Sequence, residues 1–567
     1  MASKHFSFIG ISFFILFPLI SLPSHADNTL PFPFGLTPPV SPENVCKFTQ
    51  FPSFCKSVLP NHNDNVYGFG RFSFQRSVSQ SQIFFDLIDK LLKSNPNFSK
   101  PAIRALQDCH YLASLNQDFL STCSQTVKRT SKILARTEAE NVQTKLSAIL
   151  TNLQTCVESL DSTNSAGTIK NDILNSLLND TKFQSISLDL FKKGWVPKQR
   201  GRGKSRQPPK IDPTSRNGRM ALGVSSQNHA IFEAILRRSK RVVRAAGNGD
   251  SVLIKDIVTV SKEGWGNFTT INEAIAAAPS ISDASDGYFF IYVAAGIYEE
   301  YVSIARNQNY LFILGDGIGQ TIITGNRSVG DGWTTFNSAT FAVVGEGFLG
   351  VDITFRNTAG PSKGQAVALR NGADLSTFYS CSFEGYQDTL YPHSLRQFYR
   401  ECDIYGTIDF IFGNGAVVFQ NCNIFPRLPI KGQFDPITAQ GRTDPNQNTG
   451  FSFQNCTIRA AEDLGATKTY LGRPWKEYAR TVFMQSFMDK LIDLAGWSVW
   501  NGDFALSTLY YAEYDNTGPG SDTTMRVAWP GYHVIDATDA DDFTVSNFLL
   551  GDNWLHKTGV PYIGGLI

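Results

Sequence analysis

Two patterns of hydrophobic positions divide the chain. From about residue 41 to 191, apolar residues recur at the spacing of one helix face, as at Phe84, Ile88 and Leu91. This period predicts amphipathic helices joined by short polar breaks, and hence an all-α four-helix bundle. From about residue 250 to 567 the apolar runs are short, rich in β-branched and aromatic residues, and end at Gly or Asn. That pattern predicts an all-β domain.

Three apolar runs are the clearest strands of the β region: residues 288–293, 311–314 and 366–369. The run from Ile271 to Ala277 is instead helical in its pattern. Because open strand edges pair with other chains, we expect this helix to cover the first end of the β domain.

Similar phrases return about every 20 residues: FYSC at 378–381, FYREC at 398–402 and FQNC at 419–422. A recurrence of this length, built on short strands and turns, predicts a solenoid of stacked coils. Asp388 and Asp409 are separated by the same interval, so they should lie on neighbouring coils about 4.8 Å apart. The pKa values of two carboxyls that close should split, which suits one as an acid and the other as a nucleophile.

The length of the chain and its cysteines agree with a division into domains. At 567 residues it exceeds what one hydrophobic core usually serves, and its apolar and charged fractions are those of globular proteins. Nine cysteines form two groups, one ending at Cys156 and the other beginning at Cys381.

The first 26 residues have the pattern of a secretory signal. Lys4 precedes an apolar run from Phe6 to Leu22, and Ser24-His25-Ala26 has the form of a cleavage site. A membrane anchor is the alternative. Secretion would make a glycoprotein with disulfide bonds, and the candidate glycan sites are Asn97, Asn179, Asn267 and Asn326.

Residues 192–249 are predicted to be a basic linker. Between Lys192 and Arg219 there are ten Lys or Arg residues and one acid, Asp212, among several Gly and Pro. Such a run cannot bury apolar surface, and it could also attract an acidic polymer or be a protease target. The cluster from Arg237 to Arg241 suggests a processing site, with a solvated helix end as the alternative.

The cysteines of the helical region resemble those of the pectin methylesterase inhibitor domain. In that family one Cys pair opens the domain and a second ties two bundle helices. The resemblance implies bridges Cys46–Cys55 and Cys109–Cys156, and it leaves Cys123 as the odd thiol.

Four motifs of the β region closely resemble plant pectin methylesterases. They are GQAVALR at 364–370, GYQD at 385–388, DFIFGN at 409–414 and LGRPW at 471–475, in this order. The resemblance implies a right-handed parallel β-helix over residues 250–567, which agrees with the 20-residue recurrence. With residues 41–191 in front, the chain resembles the two-part precursor form of that family.

The resemblance also implies roles for the residues of the motifs. Asp409 would be the nucleophile that attacks a methyl ester of galacturonate, and Asp388 the general acid and then the base. Arg473 would hold Asp409 ionised through a charge-assisted contact. Gln365 and Gln387, 22 residues apart, would together stabilise the oxyanion.

Further residues would contact the sugar chain or the core. Trp475 would offer an apolar face to the sugar, and Thr335 matches a substrate-contacting position of the family. For Tyr386, Tyr391 and Phe410, a place in the cleft and a place in the core are equally open. The family also implies a bridge Cys422–Cys456, whereas Cys381 departs from its pattern. Cys381 either pairs with Cys402 or both are buried thiols.

The sequence lacks metal-ligand spacing of His, Cys or Asp and a phosphate-binding glycine loop, so we expect no metal and no organic cofactor. The expected partners are pectin, a processing protease and a proteinaceous inhibitor, with no nucleic acid and no membrane after signal cleavage. We expect a secreted monomer of the cell wall. The rival functions are a non-catalytic pectin-binding protein and a calcium-dependent pectate lyase.

Overall fold

The computed structural model describes residues 38–94, 98–161, 168–198, 221–224, 244–245, 252–281 and 283–567. The described part of the N-terminal region holds six helices. They are α1 (Pro42–Cys46), α2 (Pro52–Val58), α3 (Val66–Ser94), α4 (Lys100–Arg129), α5 (Arg136–Asp161) and α6 (Thr168–Gly194). The four long helices pack as the predicted bundle, which confirms the all-α first part.

Apolar residues on the inner faces of the four long helices form the bundle core, including Phe74, Leu106, Leu146 and Leu188. Two disulfides join Cys46 to Cys55 and Cys109 to Cys156, and Cys123 is a free, buried thiol. The second bridge ties α4 to α5. These pairings agree with the resemblance to the inhibitor family.

The described strands of the second part form three parallel sheets. Sheet 1 contains β1 (Ala221–Val224), β2 (Arg244–Ala245), β3 (Val252–Val260), β4 (Tyr288–Val293), β7 (Leu311–Leu314), β10 (Leu349–Val351), β13 (Ser376–Tyr379), β16 (Arg396–Arg400), β19 (Ala416–Gln420), β22 (Gly450–Gln454), β25 (Arg480–Met484), β27 (Tyr510–Tyr514) and β28 (Tyr532–Val534). Sheet 2 contains β5 (Gly296–Glu299), β8 (Thr321–Gly325), β11 (Thr354–Asn357), β14 (Ser382–Glu384), β17 (Asp403–Gly406), β20 (Asn423–Pro426), β23 (Thr457–Ile458) and β26 (Phe487–Met488). Sheet 3 contains β6 (Val302–Ile304), β9 (Phe341–Val343), β12 (Leu369–Asn371), β15 (Leu390–Pro392), β18 (Ile411–Gly413), β21 (Asp435–Gln440) and β24 (Thr469–Gly472).

Successive strands along the chain visit the three sheets in turn, so each coil adds one strand to each sheet. The fold is therefore a parallel β-helix, as the 20-residue recurrence predicts. In seven successive coils, a single residue with positive φ turns the chain at the end of the strand of sheet 1; these residues are Asp352, Ser380, Glu401, Asn421, Asn455, Gln485 and Asp515. The corner is sharp because the left-handed region reverses the chain within one residue.

The interior of the β-helix is filled by side chains that stack from coil to coil. One ladder of aromatic rings contains Phe378, Tyr399, Phe419, Phe453 and Phe483, with centroids 4.4 to 5.2 Å apart and nearly parallel planes. The strand register aligns these residues directly. The ladder buries apolar side-chain area in every coil that it crosses, and this burial stabilises the stack of coils.

The cysteines of the β-helix form a second interior ladder, and the structure contradicts one predicted bridge. Cys381, Cys402, Cys422 and Cys456 are all buried and free. Cys422 and Cys456 face each other in register on neighbouring coils. Each thiol donates instead to a backbone carbonyl, Cys422 to Tyr399 at 3.5 Å and Cys456 to Phe419 at 3.4 Å. Of the two alternatives for Cys381 and Cys402, the structure has buried thiols.

Two predicted boundaries move in the structure. The run at 366–369 is a strand only from Leu369, because Ala366 and Ala368 lie in the turn before β12, where their N–H groups bond to the next coil. Helix α6 extends to Gly194, and Trp195 is fully buried in the bundle core, so the first residues of the predicted linker belong to the bundle.

The strands predicted at 288–293 and 311–314 are β4 and β7. The helix predicted at 271–277 is α7 (Ile271–Ala276), which begins at a capping box of Thr270 and Glu273. Its apolar face packs on the first coils, as expected of a cap.

Two short helices, α8 (Ala537–Asp541) and α9 (Val545–Phe548), cover the outer face of sheet 1 near the C-terminus. No described helix is long and apolar enough to cross a membrane. The predicted signal and processing cluster lie outside the described residues, and so does most of the linker. Of the candidate glycan sites, Asn179, Asn267 and Asn326 are described and exposed.

Helices α4, α5 and α6 lie against the side of the β-helix that carries sheet 3. Gln447 Nε2 donates to the carbonyl of Ser147 on α5 at 2.8 Å, and Ser185 Oγ on α6 donates to Asp444 at 2.5 Å. Leu112 of α4 packs in an apolar cluster with residues of the β-helix, including Phe336. The bundle therefore covers one face of the β-helix.

Candidate active site

Asp388 and Asp409 occupy equivalent corners of neighbouring coils. Each lies just before a strand of sheet 3, and the pairing of Leu390 with Ile411 aligns the two corners. Both aspartates have positive φ, 62° and 51°. Because this conformation is strained for most residues and tolerated by Asp, the corner holds each carboxyl group in a fixed direction. The two aspartates therefore lie on neighbouring coils.

Arg473 holds the carboxylate of Asp409 through two parallel hydrogen bonds. Arg473 Nε donates to Oδ1 at 2.9 Å and Nη2 donates to Oδ2 at 2.7 Å. The backbone before Arg473 passes close to β21: a Cβ on Gly472 would lie 2.1 Å from Thr438 Oγ1. Arg473 N also donates to the carbonyl of Thr438 at 2.9 Å. This close approach of the two strands fixes the backbone position from which the Arg473 side chain extends.

The surroundings of the two carboxyl groups differ. Burial raises the pKa of Asp388 well above its usual value, and the charge of Asp409 raises it further. Burial also raises the pKa of Asp409, but there the hydrogen bonds and charge of Arg473 act in the opposite direction. Of the pair, Asp388 therefore has the stronger tendency to hold a proton, and Asp409 has the stronger electrostatic support for its ionised form.

One cavity of about 360 Å³ brings together all seven residues predicted for catalysis and substrate binding. They are Thr335, Gln365, Gln387, Asp388, Asp409, Arg473 and Trp475. The two glutamines come from neighbouring coils, because Ala366 N donates to the carbonyl of Gln387 at 3.1 Å. Within the described residues, no group of three His, Cys, Asp or Glu side chains is arranged to hold a metal ion.

Aromatic side chains form the walls of the cavity. Tyr391 stacks on Phe412 with centroids 4.1 Å apart, and Trp475 contacts the same Phe412 edge to face at 5.8 Å. Trp500 lies under the guanidinium of Arg473 at 4.4 Å. Of the three aromatics left open from the sequence, Tyr391 lines the cavity and Phe410 is in the interior core. The third, Tyr386, contacts Arg427 beside the cavity.

Sequence reasoning missed several lining residues: Phe336, Phe412, Ala439 and Trp500 of the β-helix, and Thr155, Glu158 and Ser159 of the bundle. Phe412 could have been found, since it lies three residues after Asp409 in the same DFIFGN motif. Trp500 follows a long connection, and nothing in the spacing points to it. The three bundle residues depend on how the two parts pack.

Helix α5 closes the cavity from outside. Glu158 forms an ion pair with Lys476, the residue after Trp475. Thr155 Oγ1 lies 3.0 Å from His393 Nε2, and Asn414 Nδ2 donates to Thr151 Oγ1 at 2.9 Å. Burial lowers the pKa of His393 to about 3, so this histidine is neutral at physiological pH.

Helix α4 contacts the other side of the cavity. The carboxyl group of Asp108 accepts hydrogen bonds from Thr334 Oγ1 at 2.5 Å and from Asn337 Nδ2. Tyr111 approaches the ring of Phe336, with centroids 6.3 Å apart. Burial raises the pKa of Asp108 to about 7 even though these hydrogen bonds favour its ionised form. The cavity is thus enclosed between the β-helix and two bundle helices.

Two family models match separate regions of the chain. Residues 257–552 match the family model described as Pectinesterase. Residues 41–190 match the model described as Plant invertase/pectin methylesterase inhibitor. The first match contains every catalytic and substrate-binding residue predicted above, and the second contains α1 to α5 and most of α6.

Similar proteins extend over the whole chain. The Arabidopsis thaliana protein named "Probable pectinesterase/pectinesterase inhibitor 20" is 56% identical over 559 residues, covering 95% of this chain and 97% of that protein. The one named "Probable pectinesterase/pectinesterase inhibitor 7", from the same organism, is 54% identical and covers both chains completely. The solved structure titled "Pectin methylesterase from Carrot" has 51% sequence identity and a TM-score of 0.54. It matches 57% of this chain and 100% of its own.

Proposed function

This chain belongs to the pectinesterase family, and from that premise we propose that its cavity hydrolyses the methyl esters of homogalacturonan with Asp409 as the nucleophile. One observation carries the proposal. A carboxylate held in two hydrogen bonds by Arg473 lies one coil from a second carboxyl, Asp388, whose pKa is raised more strongly. Two carboxyl groups with different proton affinities are what acyl transfer through an acid and a nucleophile requires.

In the first half of the reaction, a carboxylate oxygen of Asp409 attacks the carbonyl carbon of the ester. The bond to the methoxy group then breaks, and Asp388 gives its proton to the leaving methanol. The product of this step is an anhydride between Asp409 and the galacturonate carboxyl. Arg473 favours the ionised nucleophile before the attack, because its charge and hydrogen bonds stabilise that form.

The side-chain amides of Gln365 and Gln387 donate hydrogen bonds to the oxyanion of the tetrahedral intermediate. Their positions on neighbouring coils at the cavity support this role. Donors fixed in advance lower the barrier because they need no reorganisation when charge develops. Trp475 and Tyr391 provide apolar faces for the sugar rings, and Thr335 contributes a hydroxyl group to the same cavity.

In the second half, Asp388 is ionised and takes a proton from water as the water attacks the anhydride. This step restores the ionised Asp409 and releases the carboxyl group of the galacturonate, which loses its proton to the solvent. The cycle returns the proton to Asp388, which is then ready for the next methanol. Acid and base are thus one residue that changes role between the two halves.

The wider biology belongs to the same proposal. We assign residues 1–26 to a secretory signal, residues 196–249, which follow the bundle, to a linker cut by a processing protease, and residues 250–567 to the mature enzyme of the cell wall. The bundle would keep the cavity closed until cleavage, and a separate inhibitor protein with the same fold could bind the same face. A processed monomer acting on pectin follows from this assignment.

The proposal is tested by the products that residues 250–567 form from highly methylated pectin. We expect methanol and new free carboxylates in equal amounts, with or without a calcium chelator. Unsaturated sugar ends that require calcium would indicate the lyase instead. Binding of the polymer without any product would favour the non-catalytic binding protein.

A further inference from the structure

Two carboxyl groups of the bundle occupy polar sites on the two sides of the catalytic pair. Asp108 binds the first site. It consists of Thr334, Asn337 and Arg370, and we call it the Asn337 site. Glu158 binds the second, which we call the Lys476 site. The sheet order places the Asn337 site at the coil of β9, before the corner of Asp388. Lys476 follows β24, after the corner of Asp409.

The Asn337 site is built for an anion. Thr334 Oγ1 and Asn337 Nδ2 both donate to the carboxyl of Asp108. Arg370 is 5% exposed and stacks on Phe336, with its guanidinium carbon 3.5 Å from the ring centroid. Its Nε has no hydrogen-bond partner in the described part of the chain. A buried cation with an unused donor favours a negatively charged ligand.

The Lys476 site offers a positive charge beside an aromatic wall. Lys476 Nζ lies 4.8 Å from the centroid of the Trp475 ring and forms an ion pair with Glu158, which itself lines the cavity. The Lys476 side chain is 20% exposed. When Glu158 leaves, this ammonium group faces the same cleft as Arg473.

We propose that the Asn337 site and the Lys476 site bind free carboxylates of the pectin chain, and that Asp108 and Glu158 imitate those carboxylates in the full chain. The inference rests on the proposed function, since it takes the cavity to be the pectin cleft. Every sugar of homogalacturonan carries either a carboxylate or its methyl ester. A charged donor prefers the carboxylate, because a charge-assisted hydrogen bond is about twice as strong as a neutral one. The enzyme therefore favours partly de-esterified chains over fully methylated ones.

The test measures binding without turnover, by calorimetry on residues 250–567 carrying Asp409→Asn. The carrot enzyme matches this half alone over its whole length, so the half is a complete folding unit in a relative. The ligands are unesterified and fully methylated oligogalacturonates of equal length. We expect Asn337→Asp and Lys476→Gln each to weaken the unesterified ligand about 10-fold and the methylated ligand less than about 2-fold.

Matched variants separate the sites from general charge effects and from misfolding. Lys468→Gln removes an equal charge from an exposed lysine that pairs with Asp493 and should change neither affinity. Lys476→Arg keeps the charge and should restore most of the preference. Thermal unfolding of each variant checks the fold. Equal losses for both ligands in a folded variant, or no loss for either, would overturn the inference.

The full chain gives a second readout. Because Asp108 and Glu158 fill the two sites there, we expect unesterified oligogalacturonate to bind the full chain at least about 10-fold more weakly than the C-terminal half. Equal affinities would contradict the imitation. Methanol release by the parent enzyme tests the proposed function separately: a protein that releases none but keeps the carboxylate preference retains the two sites and loses the esterase mechanism.

Discussion

At the scale of single residues, the site depends on how Arg473 distinguishes two buried carboxyl groups. It bonds Asp409 directly, and it reaches Asp388 only through its charge. The same burial that raises both pKa values therefore leaves the two groups with different affinities for a proton. Without Arg473, the two aspartates would be nearly equivalent corners of neighbouring coils.

We expect Arg473→Lys to lower kcat by about 10²-fold. Lysine keeps the positive charge but cannot make the two parallel hydrogen bonds to Asp409, so the nucleophile loses its fixed orientation. Methanol release at saturating pectin measures the effect. A kcat close to that of the parent would show that charge alone is sufficient.

A second prediction concerns Asp435, the first residue of β21, which is fully buried. Neither of its carboxyl oxygens has a hydrogen-bond partner among the described residues, and Thr469 Oγ1 on the paired strand has none there either. Burial raises the pKa of Asp435 to about 8. The folded protein therefore holds a proton that the unfolded chain releases above about pH 4.

The direction in which stability changes with pH follows from that difference in proton binding. The stability associated with protonated Asp435 is fully present below about pH 4 and is lost as the pH rises towards 8. Relative to Asp435→Asn, the parent should lose about 1 kcal/mol of unfolding free energy per pH unit in this interval. Urea unfolding of residues 250–567 at several pH values measures it, with exposed Asp503→Asn as the control. Parallel curves for the parent and Asp435→Asn would contradict the prediction.

At the scale of elements, the bundle carries a bridge that joins the two helices nearest the cavity. Cys109–Cys156 closes a separation of 47 residues, and Cys46–Cys55 one of 9. If the bridges act by restricting the unfolded chain, replacing the first pair by Ala should cost about 4 kcal/mol and the second about 3 kcal/mol.

The helical circular dichroism of the full chain during urea unfolding measures both losses. Cys123→Ala, which removes a buried thiol and no bridge, should cost about 1 kcal/mol. A greater loss from the 9-residue pair than from the 47-residue pair would count against the chain-entropy explanation.

The elements show what the sequence could predict. The coils follow from a recurrence visible in the sequence, and the same recurrence aligns Asp388 with Asp409. The predicted strand began at Ala366, three residues before the observed start of β12 at Leu369. Ala366 and Ala368 belong to an apolar run with the composition of a strand, but their N–H groups form coil-to-coil hydrogen bonds in the turn before it. The bridge Cys422–Cys456 was inferred from a family pattern. In the structure the two thiols are neighbours in a ladder of four that bond to backbone carbonyls.

At the scale of the whole molecule, the bundle determines access to the cavity. The contacts between the bundle and the β-helix are the part of the structure that the sequence predicts least well. Thr155, Glu158 and Ser159 reach the site only because the bundle packs on the β-helix. The spacing of residues within one helix cannot specify which partner surface it meets. Asp108 and Glu158 meet their hydrogen-bond and ion-pair donors on the β-helix only when the two parts pack together.

We expect residues 250–567 to release methanol at least about 10-fold faster than the full chain, because helices α4 and α5 close the cavity. Initial rates at equal concentrations measure the difference. Adding residues 38–198 at an equimolar amount should reduce the rate again. Equal rates with and without the bundle would contradict closure of the site.

Glu158→Gln in the full chain should raise the rate of methanol release several-fold. The change removes one partner of a partly buried ion pair between the two parts and leaves Lys476 without it. Glu138→Gln, at an exposed position of the same helix, is the matched control and should leave the rate unchanged. A rise in both variants would indicate a general loosening of α5.

The central claim is that Asp409 is the nucleophile of a methylesterase. The most direct test compares methanol release from highly methylated pectin by residues 250–567 with and without Asp409→Asn. We expect a loss of at least about 10³-fold, with the fold intact by circular dichroism, because an amide cannot form the anhydride. A folded variant that releases methanol at the parent rate would remove Asp409 from the mechanism.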